Sequence, residues 1–160
     1  MQDWRIQGQL DGGFVLDDDP VRIDRAAVHA FITGSYWATG RTRELMDTLI
    51  AGAASVGGLN GADGRQLGFA RVVSDGHTVS YLADVYVLEE VRGRGLDLEL
   101  VRFTVNGGSL GETKWILHPR DMQAPLSAPG RRRQSVLGEL QGAVSRSSRC
   151  SRARAIEIRS

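Results

Sequence analysis

The chain has a single cysteine, Cys150, so no internal disulfide can form and a reducing compartment is the expectation. No apolar run approaches the length of a membrane span, and Met1-Gln2-Asp3-Trp4 does not open a signal peptide. A cytoplasmic protein with no membrane partner is expected. An excess of one charge is also missing. The formal net charge is +1, which points to no particular partner. Two phosphate-binding signatures are absent: no Gly-Lys-Ser/Thr follows a glycine loop, and nothing matches Gly-x-Gly-x-x-Gly. A P-loop and a Rossmann fingerprint are thereby excluded. Asp17-Asp18-Asp19 before Pro20 lacks the spaced ligands of a calcium loop, so it reads as a solvated turn and no metal site is expected.

What is present suits one domain. At 160 residues, with 41% hydrophobic and 24% charged residues, the chain can build one proper core but not two. The average conceals a split. All the aromatic residues lie at or before Trp115, and residues 131–160 hold eight arginines against two glutamates.

Residues 79–105 organise the rest. Val79, Tyr81, Ala83, Val85 and Val87 alternate with Ser80, Leu82, Asp84, Tyr86 and Leu88. Both faces are largely apolar, as in a strand covered on two sides within a mixed α/β sheet. From Leu96 the period becomes helical, with Leu96, Leu100 and Phe103 on one stripe, until Asn106-Gly107-Gly108 stops it. Between them lies Val91-Arg92-Gly93-Arg94-Gly95-Leu96. Its glycines let the backbone approach a ligand, and the following helix offers unpaired N–H groups and a positive dipole end. The loop is suited to a phosphate or pyrophosphate; the plain alternative is a tight turn.

Elsewhere the elements follow from local signals. Residues 1–13 read as polar and loose at their start, and Phe14-Val15-Leu16 as a short strand. Asp24 is an N-cap for a helix carrying Ala27, Val28, Phe31 and Ile32, with His29 partly exposed, and Thr42 opens a second helix. A strand over residues 54–59 is weakened by Gly57-Gly58. Asn60-Gly61 and Asp63-Gly64 mark a hairpin, residues 66–73 a strand, and Asp75-Gly76 a turn with His77 facing solvent. Residues 114–117 read as a short strand lying parallel to the central one.

The segment LADVYVLEEVRGRGL, with LHPRD further on, resembles the GNAT family of N-acetyltransferases, over residues 14–121. The family loop is Arg/Gln-x-x-Gly-x-Gly/Ala. Arg92 and Gly95 match its first and fourth positions, whereas Asp97 stands where the family has Gly or Ala. The resemblance implies a mostly antiparallel sheet flanked by helices, with a splayed parallel strand pair forming an acyl-CoA cleft. It implies acetyl-CoA as co-substrate, a strand bulge, and backbone pairing of the pantetheine arm at Val85, Tyr86 and Val87. The pyrophosphate role falls to the backbone of Arg92, Gly93, Arg94, Gly95, Leu96 and Asp97. Tyr36 and Trp37, between the first two helices, either plug the core edge or wall the pocket of a small amine.

Acetyl transfer by direct attack needs orientation, a donor to the thioester carbonyl, a base and an acid. The Val87 N–H is the candidate donor. Asp84 is the candidate base, but a carboxylate on so apolar a strand needs a partner, and a structural tie to Arg71 is the competing role. Glu89 and Glu90 read as surface residues, and water is an alternative proton carrier. The family acid is a tyrosine in Leu-Tyr-x-x-Phe-Gly-Phe. Counting from Asp121, Leu126 stands at its position, and Pro125 and Pro129 oppose a helix.

Residues 1–121 are thus expected to form the acyltransferase-like domain, and residues 122–160 an Arg/Ser-rich segment without strand patterning. That segment reads as a disordered tail, a divergent end, or, preferred, the product of a reading-frame shift. Loss of the family's terminal strands predicts marginal stability or a homodimer. Two functional alternatives accompany the acetyltransferase: a CoA-binding relic without the acid, and a nucleic-acid binder acting through the arginine tail.

Overall fold

The computed structural model describes residues 6–35, 38–106, 110, 113–117 and 157–158. Among them seven strands form one sheet whose spatial order is their sequence order. They are β1 (Ile6–Leu10), β2 (Phe14–Asp17), β3 (Ser55–Asn60), β4 (Gln66–Ser74), β5 (Val79–Val87), β6 (Lys114–Leu117) and β7 (Glu157–Ile158). Neighbours from β1 to β5 pair antiparallel, while β6 pairs parallel to β5 and β7 parallel to β6. The helices are α1 (Arg25–Thr33), α2 (Arg43–Ala51) and α3 (Leu96–Asn106). The mixed, mostly antiparallel α/β architecture expected from the sequence is present, as is the parallel strand beside the central one.

Side chains set the helix starts. Asp24 accepts the Ala27 N–H at 3.0 Å, and Thr42 accepts the Leu45 N–H at 3.2 Å, each satisfying a donor that the first turn leaves open. On one sheet face α1 and α2 bury Val28, Ile32, Met46 and Ile50 with Val56, Phe69 and Tyr86. On the other, α3 buries Leu96, Leu100, Val101 and Val105 with Leu59, Leu82, Val85 and Val87. Burying each such side chain contributes roughly 2 kcal/mol, so β3 to β5, covered on both faces, are the rigid centre.

Gly57 does not weaken β3 as its composition suggested. A Cβ there would overlap Thr104 Oγ1 and come within 3.2 Å of Leu100 Cδ1. The glycine is the seat on which α3 rests against the sheet. Local turns behave as read: the Gly61 N–H donates to Arg65 O at 2.9 Å. The Thr78 hydroxyl and the N–H groups of His77, Thr78 and Val79 hold the Asp75 carboxyl well below its usual range.

One element was not anticipated and one expectation is corrected. Residues 6–10, to which the sequence reading gave no element, form β1 through pairing with β2. The acidic run is not simply a solvated turn. Asp17 is a buried strand residue that accepts from Arg22 Nη2 at 2.8 Å, and Asp19 also pairs with Arg22. Burial opposes ionisation of Asp17, but Arg22 and the Asp19 N–H outweigh it and its carboxyl sits below the ordinary value.

Candidate functional site

The site is built on an irregularity in β5. Its pairing with β4 runs from Ser74↔Ser80 to Arg71↔Ala83, then resumes at Phe69↔Tyr86. Ala70 therefore faces two residues, Asp84 and Val85, which defines a β-bulge. Asp84 has φ of 52°, the only non-glycine residue with positive φ among the described residues. That conformation costs about 1–2 kcal/mol for most side chains, less for aspartate.

The extra residue inverts the strand's phase. Leu82, Val85 and Val87 all pack on the α3 side, whereas Tyr86 packs on the α1 side. The unbroken alternation of the sequence reading, which put Leu82 opposite Val85 and Val87, is corrected here. Tyr86 stacks on Phe31 at 3.9 Å between centroids, and burial pushes its phenol up to about 12 against a small opposing contribution from Gln66.

The Asp84 side chain is 3% exposed. Its Oδ2 accepts from Arg71 Nε at 2.8 Å and Nη2 at 2.7 Å, and its Oδ1 from Arg41 Nη1 at 2.9 Å. Arg71 was the structural partner anticipated. Arg41, 43 residues earlier in the chain, was not, since nothing local links the two. With both oxygens engaged by guanidinium groups, ion pairing alone accounts for a carboxylate on this strand.

Beyond the bulge, among the described residues, β5 faces an open edge. Its pairing with β6 runs from Val79↔Lys114 to Leu82↔Leu117, so among the described residues no strand lies beside Val85 to Val87 on that side. The Leu88 N–H donates to Leu67 O at 2.8 Å. Antiparallel ladders alternate bonded and non-bonded pairs, so Val87, opposite Gly68, turns its N–H and C=O away from β4 toward that edge. The Val87 carbonyl there accepts from Arg92 Nε at 3.0 Å. Tyr86, by the same alternation, points its main chain at Phe69.

A single turn of 3-10 helix at Glu89–Val91 leads from β5 into the glycine loop, with Glu89 and Glu90 exposed and Glu90 paired to Arg65. Gly93 and Gly95 have φ of 78° and 75°, and no atom lies within 4 Å of where a Cβ would stand on either. Gly93, Arg94 and Gly95 are exposed, while Leu96 is buried at the start of α3. The loop's outer surface is thus not covered by its own side chains. The Arg94 guanidinium lies 5.9 Å from the Phe14 ring centroid, a cation–π distance. Asp97 occupies the first turn of α3.

Tyr36 and Trp37 lie outside the described residues, as do the LHPRD positions 118–121, Leu126 and the tail except for Glu157–Ile158. His29 is half-buried, its Nε2 2.9 Å from Arg41 O, and His77 is exposed. Among the described residues no group of side chains has the makings of a metal site, and no helix is long and apolar enough to cross a membrane. A hollow of about 550 Å³ beside Gly13, Asp17, Arg22 and Asn60 contains none of the candidate residues.

A central strand bulged and, among the described residues, open past its bulge, running into a glycine loop and a helix tip, is a sheet of the acyltransferase type. No family model and no curated protein matches the chain. A solved structure from Xanthomonas campestris pv. campestris, described as a GNAT-family acetyltransferase, does. It is 30% identical with a TM-score of 0.62, over 69% of this chain and 76% of its own. The chain belongs to the GNAT family. The same fold recurs in a Deinococcus radiodurans protein described as an acetyltransferase, at 20% identity and TM-score 0.55 over 97% and 93% of the two chains. It recurs also in a GNAT-family acetyltransferase from Streptococcus pneumoniae, at 16% and 0.54 over 90% and 98%.

Proposed function

We propose that this acyltransferase uses acetyl-CoA and transfers the acetyl group to a small amine within a ternary complex. Acetyl-CoA would bring a thioester whose C–S bond breaks as the amine nitrogen forms the amide, the amine releasing a proton and the thiolate taking one. The chain's own groups fit that co-substrate. The backbone of Arg92 to Leu96 bends outward at two open glycines ahead of the α3 tip, where diphosphate binding is favourable. The Val87 N–H faces the open edge of β5 and is the proposed donor to the thioester carbonyl. Arg92, by holding the Val87 carbonyl, fixes the orientation of the residue that carries it. Asp97 opposes an anion at the tip and weakens it without removing its donors.

The observation that carries this reading is that the bulge, the Val87 edge and the glycine loop follow one another within fourteen residues, from Asp84 to Asp97. Asp84 enters as the group that holds the bulge, with water as proton carrier, because both its oxygens are engaged. The connection bearing Tyr36 and Trp37 is the proposed acceptor wall.

Titration calorimetry with acetyl-CoA, followed by thiol release across a panel of amines, tests the proposal. Heat and amine-dependent thiol support it; no heat overturns it. Heat without thiol favours a CoA-binding protein that does not turn over, the second reading, which rests on Leu126 standing where the family has its acid.

A further inference from the structure

The glycine loop holds the two exceptions among the described arginines. Every other one meets a carboxylate. Arg92 gives its Nε–H to the Val87 carbonyl at 3.0 Å. Arg94 makes no ion pair or hydrogen bond among the described residues, although Glu89, Glu90 and Asp97 stand close to it in the chain. What holds it is the Phe14 ring, whose centroid lies 5.9 Å from the guanidinium carbon. That ring is a firm seat. Phe14 is 8% exposed at the start of β2 and belongs to the cluster packed beneath α3. The turn after β1 runs against it, and a Cβ on Gly12 would stand 3.1 Å from the ring.

The contact has two consequences. A guanidinium held against an aromatic face by the cation–π attraction keeps its N–H donors in its own plane, available to an anion. The charge is also directed off the cleft. Phe14 lies on β2, and β3 and β4 stand between β2 and β5, so the cation points away from the open edge that carries Val87. Coenzyme A is asymmetric about its diphosphate in the same way. With the pantetheine arm laid along the β5 edge, the nucleotide leaves on the other side, and a single ribose separates the diphosphate from the 3′-phosphate. A phosphate monoester is the kind of anion that the guanidinium fork grips in two places. Asp97 gives this second grip its importance, because a carboxylate in the first turn of α3 weakens the hold on the diphosphate itself.

Resting on the acetyl-CoA reading, we propose that Arg94 is a specificity-determining residue that binds the ribose 3′-phosphate of the co-substrate. The chain thereby selects thioesters of coenzyme A over those of 3′-dephospho-CoA, and over those of phosphopantetheine alone, which lack the nucleotide. The loop backbone and the α3 tip hold the diphosphate, and Arg94 reads what lies beyond it.

Titration calorimetry with CoA and with 3′-dephospho-CoA, on the parent chain and on Arg94→Gln, reads this contact without knowledge of the amine. The parent binds CoA about tenfold or more tighter than the dephospho form, the contribution of a charge-assisted contact. That preference shrinks as ionic strength rises. In Arg94→Gln the ratio falls to within about threefold, and in Arg94→Lys, which keeps the cation without the fork, it lies between. Arg94→Lys carries the comparison should Arg94→Gln fail to fold. The ratio separates recognition from support. An arginine that merely pins the loop to Phe14 would, when replaced, weaken both ligands alike and leave the ratio standing, which overturns the inference. A parent that takes the two ligands equally overturns it too. No heat with either ligand in the parent removes the acetyl-CoA reading, and this inference with it.

Discussion

Asp84→Asn isolates what the carboxylate does. Asparagine keeps the size of the side chain and tolerates φ of 52° nearly as well, so backbone strain stays constant. What is lost is the negative charge between Arg71 and Arg41. Removing one partner of a buried ion pair costs about 3–5 kcal/mol, because the remaining charge is left without compensation. The Arg71 side chain is 9% exposed and carries most of that cost, whereas Arg41, at 26%, is discounted for its contact with water. A loss of about 3–4 kcal/mol follows, roughly 10 °C in Tm for a chain of this size. Urea unfolding and thermal melts read it directly. The double variant Asp84→Asn/Arg71→Met should lose less than the sum of the two single losses, by about 1 kcal/mol or more. A single variant within about 0.5 kcal/mol of the parent, or strictly additive losses, would refute the ion-pair account. Turnover abolished at unchanged stability would return Asp84 to the role of base.

Gly57→Ala drives a methyl group into Thr104 and should cost about 1–3 kcal/mol. It is read as a lower urea midpoint at constant m-value, with partial recovery when Thr104→Ala is added. Asp97→Asn removes a negative charge from the tip of α3 and should tighten acetyl-CoA binding about two- to fivefold at low salt. Calorimetry at rising ionic strength should show the gain fading; weaker binding would count against an anion at that tip. Tyr86 gives an alkaline signature. Its phenol rises from 10.0 to about 12 in the folded chain, so the unfolded chain ionises first. The parent therefore keeps this stability below pH 10 and loses it through about pH 12, by up to roughly 3 kcal/mol. Tyr86→Phe should escape that loss, which a pH series of melting temperatures would show.

Local chemistry made much of the fold legible. Asp24 and Thr42 announce their helices because a cap is a contact between near neighbours, and Asn60-Gly61 and Asp75-Gly76 announce turns for the same reason. The glycine loop was visible because Gly93 and Gly95 act through backbone freedom alone. What escaped depends on partners distant in sequence. β1 is five residues long, too short for its alternation of Ile6, Gly8 and Leu10 with Gln7 and Gln9 to stand out, and exists through its ladder with β2. The bulge was expected only through the family resemblance; Asp84 is a poor strand former that tolerates positive φ, yet one such residue does not place a bulge, and the packing of Val85 and Val87 beside Leu82 does. Arg71, thirteen residues from Asp84, was within reach of a hairpin estimate; Arg41 was not. Gly57 was misjudged because its value lies in what α3 needs beneath it.

The phase inversion at Asp84 makes the length of β5 as significant as its composition. Deleting Asp84 would restore an even ladder with β4 and leave the strand downstream as it is, with Tyr86 still opposite Phe69 and Val87 still opposite Gly68 and turned outward. What would go is the bulge and the carboxylate that ties Arg71 to Arg41. Deleting Val85 instead would carry Asp84 into its place beneath α3, among apolar side chains. The loss of one codon is absorbed by the ladder at one position and buries a charge at the next.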